Sequence, residues 1–131
     1  MNVIATFLFG LWMIASGIAH FVKPAYMRGL IPSWVSELLP RRLGRVEFLV
    51  AASGVADIFA GFLILLPSAR TVGGWAAAAL VCLYLVSHVD ALVQKLGDRA
   101  RPRRLPIFEI SCLVVNFGYI GWAVAIALTA R

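Results

Sequence analysis

A chain of 131 residues has the length of one domain, with 62% hydrophobic and 14% charged residues and a mean hydropathy of +0.91. A soluble domain this small could not hide that much apolar surface, and so apolar a chain would not stay solvated as a disordered one, so both classes are excluded. The formal charge of +6, from 12 Lys+Arg against 6 Asp+Glu, comes with no nucleic-acid-binding motif and reads as an orientation signal of a membrane protein.

Four stretches reach the ~20 apolar residues that a bilayer crossing needs, and in lipid each must satisfy its own backbone as a helix. The first covers residues 2–22, carries no charge, and lacks the positive leading segment of a secretory signal. A linking stretch, 23–45, follows with Lys23, Arg28, Arg41, Arg42 and Arg45. It is punctuated by Pro24, Pro32 and Pro40, yet holds Tyr26, Leu30, Ile31, Trp34, Val35, Leu38 and Leu39. It is too apolar for a solvated loop, so one or two short helices lying at the membrane interface are expected. The second span covers 46–66. Only Pro67-Ser68-Ala69-Arg70 separates it from the third, 71–89, so these two form a tight hairpin. A second basic stretch, 95–106, carries Lys95, Arg99, Arg101, Arg103 and Arg104 and leads into the fourth span, 107–130.

Ten basic residues thus fall in the two long loops, and only Arg70 and Arg131 on the other side. This bias is expected to place loops 23–45 and 95–106 in the cytoplasm and both termini outside. Trp75 and Trp122 then lie near the outer ends of their spans, as an aromatic belt would. The expected fold is an all-α, single-domain (1–131), integral membrane four-transmembrane-helix bundle with a short interfacial helical segment between helices 1 and 2.

Polar residues inside such spans have to be explained. Asp57 stands eleven residues into the second span, near mid-membrane, where a charge costs about 2.5–3.5 kcal/mol even on lenient insertion scales. It should therefore face the bundle interior, on the same helix face as Gly54 and Gly61. An interhelical hydrogen bond and a ligand contact both remain open for it. Glu109, Cys112, Asn116 and Tyr119 form one stripe on the fourth span, and Tyr84 and His88 stand one turn apart on the third. His20 closes the first span and Glu47 opens the second. With His88, Asp90 and Glu109 they gather at the cytoplasmic ends, where a polar pocket and simple hydration of helix ends are both open readings, and Asp90 reads as solvated. The pocket reading allows a quinone head group or another small polar molecule, with proton relay through His and carboxylate. His20, Glu47, His88 and Glu109 are acceptable metal ligands, but no pair has a recognised spacing, and no metal is assigned. Cys82 and Cys112 fall at similar depth, as small buried hydrophobes or as a thiol pair. The segment Ala15-Ser16-Gly17-Ile18-Ala19-His20 is echoed by Ala52-Ser53-Gly54-Val55-Ala56-Asp57. Small residues at Gly17, Gly54 and Gly61 suit close helix packing.

The run Gly17-Ile18-Ala19-His20-Phe21-Val22-Lys23-Pro24, with Tyr26 and Ile31-Pro32, resembles the first-helix signature of DoxX-like membrane proteins. So does Ser53-Gly54-Val55-Ala56-Asp57-Ile58-Phe59-Ala60-Gly61, running on to Leu65-Leu66-Pro67 and Arg70. The chain departs from that family with Asp57 in place of Glu, Ser87-His88-Val89-Asp90 in place of a Pro-Ala-Asn run, and Glu109 in place of Gln. The resemblance implies a four-helix membrane fold and points at His20, Pro24, Gly54, Asp57 and Gly61. It also implies a link to redox complexes, since some relatives are small subunits of thiosulfate:quinone oxidoreductases and others join membrane oxidoreductases tied to thiol and oxidative stress.

The functional expectation is a membrane anchor or quinone-side accessory subunit of a redox system. Its pocket would be lined by His20, Asp57, Tyr84, His88, Glu109, Asn116 and Tyr119. With no nucleotide loop, haem-attachment motif or nucleophile elbow in the chain, a partner would supply any main active site. The expected partners are the lipid bilayer, a soluble or membrane redox protein docked on the basic cytoplasmic loops, and further copies of the chain, with no nucleic acid. The alternatives are an oligomeric transporter of a small solute or protons, and a non-catalytic assembly factor.

Overall fold

The computed structural model describes residues 3–41, 43–97 and 107–130. Arg42, Arg131 and most of the second basic stretch, from 98 to 106, lie outside the described residues. The helices are α1 (Val3–Val22), α2 (Pro24–Arg28), α3 (Ser33–Leu38), α4 (Val46–Leu65), α5 (Arg70–Gly97) and α6 (Ile107–Thr129). α1, α4, α5 and α6 are long and apolar enough to cross a membrane. The protein is a multi-pass membrane four-helix bundle.

Three of the spans match their expected limits within a residue or so. The third does not: α5 runs 28 residues, about 42 Å at 1.5 Å per residue, against a hydrocarbon core of ~30 Å. Hydropathy ends a span where charge begins. The helix itself has no reason to stop before Gly97, and its last two turns carry Asp90, Gln94 and Lys95 beyond the apolar stretch. At the hairpin, Pro67 disfavours a helical Leu66, which is extended (φ −82°, ψ 117°). Arg70 Nε donates to the Ile64 carbonyl at 3.0 Å, satisfying one of the helix's free C-terminal acceptors.

The bundle is joined backbone to backbone in chain order: α1 against α4, α4 against α5, α5 against α6. Small residues set these approaches. Gly10 and Gly17 on α1 face Gly61 and Gly54 on α4. A Cβ on Gly17 would stand 2.5 Å from the Gly54 carbonyl oxygen, and one on Gly61 2.7 Å from the Gly10 oxygen. The two halves of the sequence echo therefore lie against each other, antiparallel. Gly73 and Gly74 play the same part for α5 against α4 and α6. Without a hydrophobic drive between helices in lipid, such close van der Waals packing is what holds them.

The solid core lies toward the hairpin: Phe9, Met13, Ala60, Ile64, Ala77, Ala78, Ala123 and Ile126. Trp122 belongs to it rather than to an aromatic belt, since its ring lies 5.2 Å from that of Phe9. Trp75 is half exposed on the outer surface. The opposite end, which carries the loop helices, is open inside. There Tyr26, Met27, Leu30 and Ile31 do more than rest on an interface, for they turn inward over the cavity between the spans.

Gly17→Leu or Gly54→Leu should force α1 from α4 and cost about 1–3 kcal/mol, as overpacking does. Gly121→Ala, whose Cβ would meet nothing within 4 Å, should cost little. Thermal unfolding of the purified protein in detergent measures both.

Candidate functional site

Asp57 is fully buried, at 0% exposure. Its helix places it three residues past Gly54, where α1 is closest, so its carboxyl lies against the neighbouring spans. Tyr84 on α5 donates to Oδ1 at 2.8 Å, and Ser16 on α1 donates through Oγ to Oδ2 at 3.1 Å. His20 Nδ1 lies 3.9 Å from Oδ2 and donates to the Ser16 carbonyl oxygen at 2.9 Å. That bond assigns the Nδ1 proton and leaves Nε2 for another partner. Three spans thus meet at one carboxyl group.

Above this group opens a cavity of about 260 Å³. α1 contributes Trp12, Ser16 and His20, α4 contributes Val50 and Ser53, α5 contributes Tyr84, Ser87 and His88, and α6 contributes Asn116 and Tyr119. Asn116 Nδ2 donates back to the Cys112 carbonyl at 2.8 Å. Tyr119 packs against Trp12 with ring centroids 4.0 Å apart and the planes tilted by 33°. The lining combines aromatic and aliphatic side chains with hydroxyls, two imidazoles and an amide.

Of the residues expected here, His20, Tyr84, His88, Asn116 and Tyr119 line the cavity, with Asp57 sealed beneath its floor. Gly17 and Gly54 form the close crossing beneath Ser16 and His20. Glu109 stands outside it. Lys95 Nζ donates to its Oε1 at 2.6 Å, a contact that exists because α5 continues past the apolar span and brings Lys95 alongside the start of α6. Glu47 is exposed and faces Arg28 at 3.5 Å. Asp90 is not simply solvated: it accepts from Trp34 Nε1 at 3.3 Å and from Gln94 Nε2 at 2.6 Å. Cys82 is exposed, Cys112 is half-buried, and both thiols are free. Among the described residues no group of three His, Cys, Asp or Glu converges as metal ligands would.

Sequence reasoning passed over Trp12, Ser16, Ser53, Ser87 and the inward loop residues. A signal existed for the first two: Trp12, Ser16 and His20 are spaced i, i+4, i+8, one stripe along α1. Nothing in the sequence distinguished the loop's inward side.

Residues 9–127 match the family described as a domain of unknown function (DUF8561), and the chain belongs to that family. No curated protein and no solved structure matches it.

Tyr84→Phe leaves Asp57 Oδ1 without its donor and should destabilise the bundle by about 1–3 kcal/mol. In an Asp57→Leu background the same change should cost much less. A double-mutant cycle on unfolding in detergent reads the coupling.

Proposed function

We propose that the chain is a DoxX-like inner-membrane protein that holds a quinone head group within its bundle, as the quinone-side accessory subunit of a redox system. The observation that carries this is the cavity in the span interior, where aromatic rings share the lining with imidazole, hydroxyl and amide groups beside a buried carboxyl. A volume of about 260 Å³ sits just below the ~300–1,000 Å³ range of small-molecule sites, which suits a single ring. Trp12 and Tyr119 supply a face for such a ring. His20 Nε2, His88 and the Asn116 amide are the groups that would hydrogen-bond its oxygens. A bound quinone would supply two-electron, two-proton chemistry. The chain's own part is to orient the ring and hold hydrogen-bonding groups at its oxygens. Asp57 serves by positioning: through Ser16 it fixes the surroundings of His20, and through its bond from Tyr84 it fixes the α5 wall.

In this reading the loop end faces the cytoplasm, both termini face outward, and the basic loops dock a redox partner. Ten of the chain's twelve basic residues support that orientation. A reporter that is active only outside the cytoplasm should be active when fused at the C-terminus and inactive when fused after Arg41. The opposite pattern would reverse the topology.

Native mass spectrometry of the protein taken gently from its own membrane should retain one quinone per chain or a redox subunit. Phospholipid alone on a bare oligomer would overturn the proposal in favour of transport. Asp57→Asn and His20→Phe should each weaken binding of decylubiquinone about tenfold, near 1.4 kcal/mol, while the bundle stays folded.

A further inference from the structure

The walls of the cavity are not equally closed. Backbone packing joins α1 to α4, α4 to α5 and α5 to α6, whereas α1 and α6 meet through rings. In the hairpin half that seam is filled, by Phe9 against Trp122 at 5.2 Å and Trp12 against Tyr119 at 4.0 Å. α1 and α6 run antiparallel, so one turn further toward the loop end Ser16 comes level with Asn116. Both side chains are short, and their bonds stay off the seam. Ser16 Oγ reaches inward to Asp57 at 3.1 Å, and Asn116 Nδ2 turns back to Cys112 on its own helix at 2.8 Å. Both residues line the cavity.

The loop end is the opposite case. Tyr26, Met27, Leu30 and Ile31 cover it. The cover is tied to two spans, through Arg28 to Glu47 on α4 at 3.5 Å and through Trp34 to Asp90 on α5 at 3.3 Å. Among the described residues, then, the loop end is covered by Met27, Leu30, Ile31 and the half-exposed Tyr26 and tied to two spans by surface contacts, and the α1–α6 seam has no such cover.

We infer that the seam between α1 and α6, at the level of Ser16 and Asn116, is a lateral portal through which the cavity takes its ligand from the bilayer. The ligand class is a lipid-borne amphiphile, with a compact ring head that fits inside and an apolar tail that stays in the seam and the surrounding lipid. The inference rests on the reading of this cavity as a ligand site and adds the route and the tail. A water-soluble ring without a tail has no comparable way in.

A photoreactive chain tests the portal without assuming any quinone. The protein in nanodiscs is irradiated with a fatty acid carrying a mid-chain diazirine, and the adducts are mapped by mass spectrometry. Adducts are expected on the inner-wall residues Ser53 and Tyr84 as well as on lipid-facing ones, and Asn116→Trp, which fills the seam, should abolish the inner set alone. Trp34→Phe, which loosens the roof, should leave the wild-type pattern unchanged. Adducts confined to outward-facing residues in the wild type would overturn the portal whatever binds in the cavity, and so would inner adducts that rise in Trp34→Phe and persist in Asn116→Trp. Inner adducts together with failure to bind decylubiquinone would uphold the portal and overturn the quinone reading instead.

Discussion

A carboxyl group in the middle of a bilayer has to be surrounded by donors, and the surroundings of Asp57 organise this bundle. Its oxygens take one bond from α5 and one from α1, while its own helix is α4. Three spans are therefore held in register by a polar contact in a medium where apolar surfaces have little preference for one another. Burying the group without these donors would cost far more than the bonds return. The constraint runs outward from there. Ser16 can reach Asp57 because α1 and α4 cross at Gly17 and Gly54 with no side chain between them, and His20, one turn along, is brought beside the same carboxyl.

The bundle divides into two halves of different character. Toward the hairpin, Ala60, Ala77, Ala78 and Ala123 let the helices close on Phe9, Met13, Ile64 and Ile126, and the interior is solid. Toward the loop end many interior side chains are polar, the helices leave space, and the linking segment folds back to cover it. The solid half makes the open half affordable: it supplies the packing that the cavity forgoes. The Trp12–Tyr119 pair marks the boundary, belonging by its rings to the core and by its position to the cavity wall.

This division bears on function. The proposed membrane-borne ligand follows from this division: the cavity lies within the spans, and the linking segment covers it on the loop side. The groups on its inner wall can both donate and accept, as a molecule with two protonation states requires. Glu109, outside the cavity and held by Lys95, belongs to the loop end of α5 and α6.

Composition alone determined that the chain is a membrane protein, because no soluble fold of this size could bury it. Hydropathy and Pro67 determined four spans and a hairpin, because a bilayer imposes one length and one kind of secondary structure. The cost of a midplane charge determined that Asp57 points inward. Which groups satisfy it was another matter. Ser16 and Tyr84 are polar residues like others in their spans, and only the rotation and depth at which α1 and α5 settle against α4 selected them. Tertiary structure alone also decided the length of α5, and with it the partner of Glu109. A helix ends by backbone geometry and not where hydropathy falls. The inward turn of Tyr26, Met27, Leu30 and Ile31 was likewise settled by the fold, since an apolar loop residue is equally content against lipid or over a cavity. The choice depends on whether the spans leave a cavity for it to cover.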